Sequence, residues 1–317
     1  MSTVKSYSFP LGEIRGDCFY IKHDSANFTV IDCFLKEGKD ANCRKDEIIR
    51  EIKDESLGRI CRFISTHPDN DHILGIEALD KHWGITNFYA VDNAIPADED
   101  DPSLEKYLEL KRIRNYPIEE GISRAWLNKS TDDRAGSNIE FLWPDVNNAK
   151  FKEALKATAK GESPNDISCV IKYDAPGGGS YLWMGDMETG MQEEFFKSQK
   201  DRIPSVDVLF HPHHGRDSAK PPDDLMFQLG PQIVVIGNAP SEHINYGDPD
   251  QTITQNSAGD VVFVNDSGII HVFTANAITN PPKVLKQYSC RPCMLGFYYQ
   301  GSFKSYLKLG SESRLEF

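Results

Sequence analysis

The chain has 317 residues, a mass of 35.7 kDa and a formal net charge of −13, with 39% hydrophobic and 26% charged residues. That composition is ordinary for a globular protein and allows one large domain or two modest ones. So negative a balance argues against a protein that coats duplex nucleic acid through a basic face, but leaves room for local engagement of a phosphodiester at a metal.

No stretch approaches the length of a membrane span, and Met1-Ser2-Thr3-Val4-Lys5 carries no apolar signal region, so the expected compartment is the cytoplasm. The seven cysteines form an odd, scattered set in which Cys290 and Cys293 are the only C-x-x-C pair. A zinc site there needs two more ligands, and none stands nearby.

In chain order, Cys18 to Lys22 and Phe28 to Phe34 are β-prone runs around the polar turn Asp24-Ser25-Ala26-Asn27, a predicted hairpin. Ile48, Ile49 and Ile52 fall at helical spacing within Lys45 to Lys53, and Arg59 to Ser65 is a strand followed by a helix-compatible stretch from Ile73 to Leu79. Residues 92 to 136 turn polar and acidic, which predicts an insertion, helical from Ser103 to Arg114, that acts as a lid. Strand Ile139 to Trp143 and helix Asn148 to Lys160 follow. Ser168 to Tyr173 and Tyr181 to Met184 form a second hairpin across a glycine-rich turn. Helix Glu188 to Lys200, strands Ser205 to Phe210 and Gln232 to Gly237, and a hairpin of Val261 to Val264 with Ile269 to Phe273 complete the pattern. Stacked sheets flanked by helices are the expected architecture. The residues from 276 to 317 read as an extension that packs on the domain or serves an interaction.

The chemistry gathers at three strand ends. His67-Pro-Asp69-Asn-Asp71-His72 places two imidazoles and two carboxylates in six residues, a crowding that is costly without a cation between them. On its own such a turn is also explained by Asp and Asn bonding their own backbone. Gly185-Asp186 ends the strand Tyr181 to Met184, where Asp186 by itself reads as a helix cap. His211-Pro-His213-His214-Gly215 ends the strand before it. Five of the nine histidines fall in the first and third segments, which scattered surface histidines do not produce. Three strand ends carrying imidazole and carboxylate toward one sheet edge are the pattern of a dinuclear hydrolytic site.

The order of these segments resembles the metallo-β-lactamase superfamily, and within it the branch containing the soluble hydrolase domain of ComEC-type DNA-uptake proteins. Gly16-Asp17-Cys18-Phe19, Thr29-Val30-Ile31-Asp32, Asn165-Asp166-Ile167-Ser168 and Asn245-Tyr246-Gly247-Asp248-Pro249 resemble further steps of that branch. The resemblance covers roughly residues 10 to 275 and implies a four-layer αββα sandwich. It implies that His67 and Asp69 hold one metal, that Asp71 and His72 hold the other, that Asp186 bridges them, and that His213 or His214 completes the second. His211 stands where the family has an apolar residue and reads as packing. Asp69 replaces a family histidine, which shifts the expected ions from zinc alone toward manganese, magnesium or iron. The family's middle histidine is absent, with Asn165 or Asp166 as a substitute or the position left open to substrate, and Asp248 replaces a late histidine and should repel an anionic substrate.

The activity implied is metal-dependent hydrolysis of a phosphodiester, DNA or a small nucleotide. Two divalent ions would lower the pKa of a shared water from about 15.7 to roughly 7. Asp71 and Asp186 would be catalytic, Tyr246 or His243 would donate to the leaving oxygen, and Asn165, Ser168 and His243 would meet the substrate. The alternatives are a hydrolase of another small phosphodiester or a lactone, or a catalytically weakened component regulated by a protein partner through the extension or the acidic insertion.

Overall fold

A computed structural model describes residues 1–9, 16–37, 39–240, 248–286 and 296–307. In chain order the strands are β1 (Ser2–Ser6), β2 (Phe19–Lys22), β3 (Asn27–Ile31), β4 (Ile60–Ile64), β5 (Asn87–Ala90) and β6 (Asn115–Pro117). Then come β7 (Ile139–Trp143), β8 (Val170–Asp174), β9 (Ser180–Trp183), β10 (Val208–Phe210) and β11 (Ile233–Ile236). They are followed by β12 (Thr252–Thr254), β13 (Val261–Asp266), β14 (Ile269–Thr274) and β15 (Tyr298–Lys304). The helices are α1 (Lys39–Glu55), α2 (Asn70–Ile73), α3 (Ile76–Trp83), α4 (Pro102–Arg114), α5 (Ala149–Thr158), α6 (Thr189–Gln199), α7 (Asp223–Leu229) and α8 (Gln255–Ala258).

Among the described residues the strands form two sheets, ordered β15-β14-β13-β1-β2-β3-β4-β5-β6 and β12-β11-β10-β9-β8-β7. Side chains alternate across each strand, and the first sheet uses both faces. Val4, Phe19, Ile21, Ile31 and Ile64 face the second sheet in one core. Tyr20, Phe28, Val30, Phe63 and Phe88 face the other way, where α1, α3 and α4 supply Ile48, Ile52, Leu79, Tyr107 and Leu110. In the second sheet a bulge between Phe141 and Trp143 reverses the alternation. Phe141 therefore stacks on Tyr89 of the first sheet, while Trp143 meets Phe151 of α5 and Phe195 of α6. The layers run helix, sheet, sheet, helix, and the αββα expectation holds.

The elements differ from the sequence reading in instructive places. The helix predicted from Ile73 to Leu79 breaks at Gly75, whose φ of 82° and close approach to Leu35 no side chain tolerates, since a Cβ there would lie 2.6 Å from Leu35 Cβ. The helix inside the acidic stretch starts at Pro102, capped by Asp101, and buries Leu104, Tyr107 and Leu110 against α3 and β5. Lys45 to Lys53 extends to the whole of α1. Strand β1, formed by the short segment Ser2–Ser6, pairs with both β2 and β13 and so carries the first sheet across its middle. Beyond residue 276, β15 pairs antiparallel with β14 at the sheet edge. No helix among the described residues is long and apolar enough to cross a membrane.

Parallel pairing joins β3 to β4 and β4 to β5 in the first sheet, and β9 to β10 and β10 to β11 in the second. Their carboxyl ends therefore open on the same side, where open sheets leave a crevice for ligands. Phe263 is fully buried between the sheets against Tyr181 and Phe210. Phe263→Ala should lower unfolding stability by about 3–5 kcal/mol in a denaturant titration, whereas Leu57→Ala, at a position 84% exposed, should change it by about 0.5 kcal/mol or less.

Candidate metal centre

Strand β4 delivers Thr66 and His67 and then α2, whose N-cap Asp69 accepts from the Asn70 N–H at 2.8 Å. Backbone bonds hold this turn between two other segments. The Asp17 N–H donates to the Asp71 carbonyl at 3.0 Å, and the Cys33 N–H donates to that of His72 at 2.8 Å. Asp32, one residue beyond β3, adopts a left-handed φ of 54° that aims its carboxylate into the turn. That carboxylate accepts from the Thr66 N–H at 2.7 Å and from the Thr66 hydroxyl at 2.6 Å, and meets His72 Nδ1 at 2.8 Å. His72 is thereby fixed with Nε2 pointing to the opposite side, 3.0 Å from Asp186 Oδ1.

The second sheet supplies the facing half. Gly185 has φ 53°, and a Cβ there would fall 2.8 Å from Ser168 Oγ and 2.9 Å from Thr66 Cβ, so only glycine lets β9 approach the first sheet this closely. Asp186 follows, 1% exposed, with its N–H donating to Ser168 Oγ at 3.1 Å. After β10 the chain turns through His213 and His214, both left-handed with φ of 51° and 49°. Each such residue costs on the order of 1–3 kcal/mol and persists only where the surroundings enforce it. Here the His213 N–H donates to the Gly185 carbonyl at 3.0 Å. The turn sets His213 Nε2 3.5 Å from Asp186 Oδ2, and His214 Nε2 3.5 Å from Asp71 Oδ2 and 3.8 Å from Asp186 Oδ2. His214 Nδ1 lies 3.4 Å from Asp17 Oδ1.

The structure thus brings together His67, Asp71, His72, Asp186, His213 and His214. The His67 and His72 rings are 4.2 Å apart, and those of His72 and His214 are 5.4 Å apart. Asp69 lines the same cleft of about 580 Å³ with Asp71, Asp186, His213 and Asn165. His211 turns instead to the Pro212 carbonyl at 2.8 Å, as its packing role requires. Ser168 is fully buried beneath Asp186 rather than lining the cleft, and Asp166 accepts from the Glu188 N–H at 3.3 Å. Asp186 is not the helix cap, a position held by Glu188. Asp248 lines a different cleft with Phe227, Lys283 and Tyr306, so the repulsion expected of it does not act here. His243 and Tyr246, and the Cys290–Cys293 pair, lie outside the described residues.

Two contributors escaped the sequence reading of the site. Asp17 joins His72, Asp186 and His214 in one set whose ligand atoms lie within 4.8 Å of one another. Asp32 touches His72 from behind. Both stand in segments that resemble the family's opening strands, Gly16-Asp17-Cys18-Phe19 and Thr29-Val30-Ile31-Asp32, but no role at the site was read for either.

These groups fit a metal. His67 Nε2 is buried without a hydrogen-bond partner, an arrangement that native proteins keep rare, and His72 Nε2 and His214 Nε2 are buried facing the Asp186 and Asp71 carboxylates. Burial and the neighbouring His72 press the His67 imidazole down to about 3, leaving a neutral ring with a lone pair to give. Burial also opposes charge on His72 and His214, but carboxylates overrule it: Asp186 and Asp32 raise His72, while Asp17 and Asp186 raise His214. Against the same burial penalty, His72 and His214 hold Asp186 well below the usual carboxylate range. With imidazole and carboxylate as donors, the set suits first-row divalent ions. Asp32 then plays the outer carboxylate that orients a ligating histidine.

Residues 11–129 match the family model of the metallo-beta-lactamase superfamily, a span that contains the His67–His72 segment but ends before Asp186. The crystal structure of CmlA, a diiron beta-hydroxylase from Streptomyces venezuelae, is similar at a TM-score of 0.42 and 12% identity, over 74% of this chain and 44% of that one. A mutant of the CmlA beta-hydroxylase gives a TM-score of 0.40 and 13% identity, over 75% and 46%. The chain spans less than half the length of either. No curated protein matches it.

Asn tolerates left-handed backbone, so Asp32→Asn should keep the fold while removing the charge behind His72. Metal affinity, read by calorimetry on the metal-free protein, should fall about 10- to 100-fold, and an unchanged affinity would deny Asp32 its orienting role.

Proposed function

We propose that the chain is a metal-dependent phosphodiester hydrolase with a dinuclear centre, a reading supported by the match of residues 11–129 to the metallo-beta-lactamase superfamily model. The observation that carries this reading is the convergence of His72, His213 and His214 on Asp71 and Asp186 from the ends of β4, β9 and β10, with Asp71, Asp186 and His213 lining an open cleft. His67, Asp69 and His213 would hold one ion, and Asp71, His72 and His214 the other, with Asp186 shared between them and Asp17 orienting His214 from its Nδ1 side. When bound, a pair of divalent ions supplies positive charge for a developing phosphorane and acidifies water.

The chain's own residues set the stage for that chemistry. Asp186, whose two oxygens face His72 and His213 respectively, fixes the separation of the two halves. Asp71 is kept ionised by His214 and His72 despite its burial, and at the cleft wall it orients the attacking water through Oδ1 or Oδ2. Asn165 Oδ1, buried and without a partner, lines the same cleft and can accept from a substrate hydroxyl or amine. The cleft volume suits a nucleotide-sized diester or the end of a strand rather than a long duplex tract. The five described cysteines are all free, three of them buried, which supports a reducing compartment such as the cytoplasm.

A panel of phosphodiesters assayed with added manganese or zinc tests the reading. Wild type should turn over at least one of them and retain about two equivalents of metal. Asp186→Ala should lose more than about 100-fold in activity, beyond the 10- to 100-fold expected of an outer partner, together with at least one equivalent of metal. Equal turnover in the two proteins would remove Asp186 from the chemistry.

A further inference from the structure

The cleft wall carries two cations, Lys36 and Arg216. Neither forms an ion pair among the described residues, although Asp69, Asp71 and Asp186 line the same space. Arg216 follows the left-handed histidine turn directly, and its N–H donates to the His213 carbonyl at 3.0 Å, which fixes its backbone to the centre. Its guanidinium donates to His213 Nε2 at 3.1 Å, the nitrogen that also faces Asp186 Oδ2 at 3.5 Å. A guanidinium there draws on the lone pair that a metal at His213 would need. Arg216 and a metal ion therefore compete for one nitrogen.

Resting on the reading of this cleft as the active site, we infer that Arg216 is the specificity-determining residue for an anionic phosphodiester, and that loading of the centre releases its guanidinium to the substrate. A planar guanidinium presents paired donors that match two non-bridging phosphate oxygens, a fit that an ammonium gives only as a point charge. Lys36, exposed on the same wall, adds a second positive charge. A neutral ester or lactone uses neither. The pair selects a guest that bears negative charge at the reacting group, which the acidic chain as a whole repels.

Dimethyl phosphate and trimethyl phosphate test this, being nearly equal in shape but anionic and neutral. In competition against a turned-over diester, and in calorimetry on zinc-loaded protein, wild type should bind the anion more tightly than the triester. Arg216→Ala should weaken dimethyl phosphate by about 10- to 100-fold, the loss expected for a charge-assisted hydrogen bond, and leave trimethyl phosphate unchanged. Arg216→Lys should restore part of the difference. The diester KM should rise in the alanine variant far more than kcat falls. Zinc affinity of Arg216→Ala should hold or tighten, because a competitor for His213 is gone; a fall in zinc affinity would make Arg216 a structural support and overturn the inference. Equal binding of the two probes by wild type, or no change in Arg216→Ala, overturns it as well. Absence of diester turnover in wild type instead counts against the hydrolase reading, since the binding comparison is read without catalysis.

Discussion

Carboxylates pressed together in a dry place govern this molecule. Asp17, Asp71 and Asp186 converge with the buried His67, His72, His213 and His214 at the floor of a cleft. Like charges at such spacing cannot all ionise without a compensating cation. The same carboxylates raise the His72 and His214 imidazoles against the penalty of burial. The rest of the architecture reads as the scaffold that enforces this crowding: parallel strands whose ends open together, a glycine that lets the sheets approach, and three non-glycine residues held in left-handed backbone.

Those three residues, Asp32, His213 and His214, show where the fold accepts local strain. Each stands within a few residues of the end of a buried strand, and hydrogen bonds to a neighbouring segment fix Asp32 and His213. A flexible loop would avoid the cost. The return is side chains whose directions are set before any ligand arrives, which is what preorganised electrostatics requires.

Much of the centre was legible because its ligands cluster along the chain. His67 to His72 and His211 to Gly215 announce themselves by composition, and the following glycine or preceding strand places them at turns. Fold class followed from alternating apolar runs, since sheet and helix periodicities differ. What stayed hidden has a common cause: single residues whose importance comes from tertiary neighbours. Asp17 and Asp32 stand in family-like segments, but their roles show only once α2 is clamped against them. Leu104, Tyr107 and Leu110 are three apolar side chains in a polar stretch, and only their shared face on α4 shows that the segment joins the core. Asp248 illustrates the reverse error, for a likeness of local motif placed it at a cleft it does not line.

The division of donors between layers has a mechanical side. His67, Asp71 and His72 follow a strand of one sheet, while Asp186, His213 and His214 follow strands of the other, and the filling between the sheets is largely apolar. An ion gripped from both sides would act as a rivet through the sandwich at this rim, and such ligation would strengthen the native state by mass action.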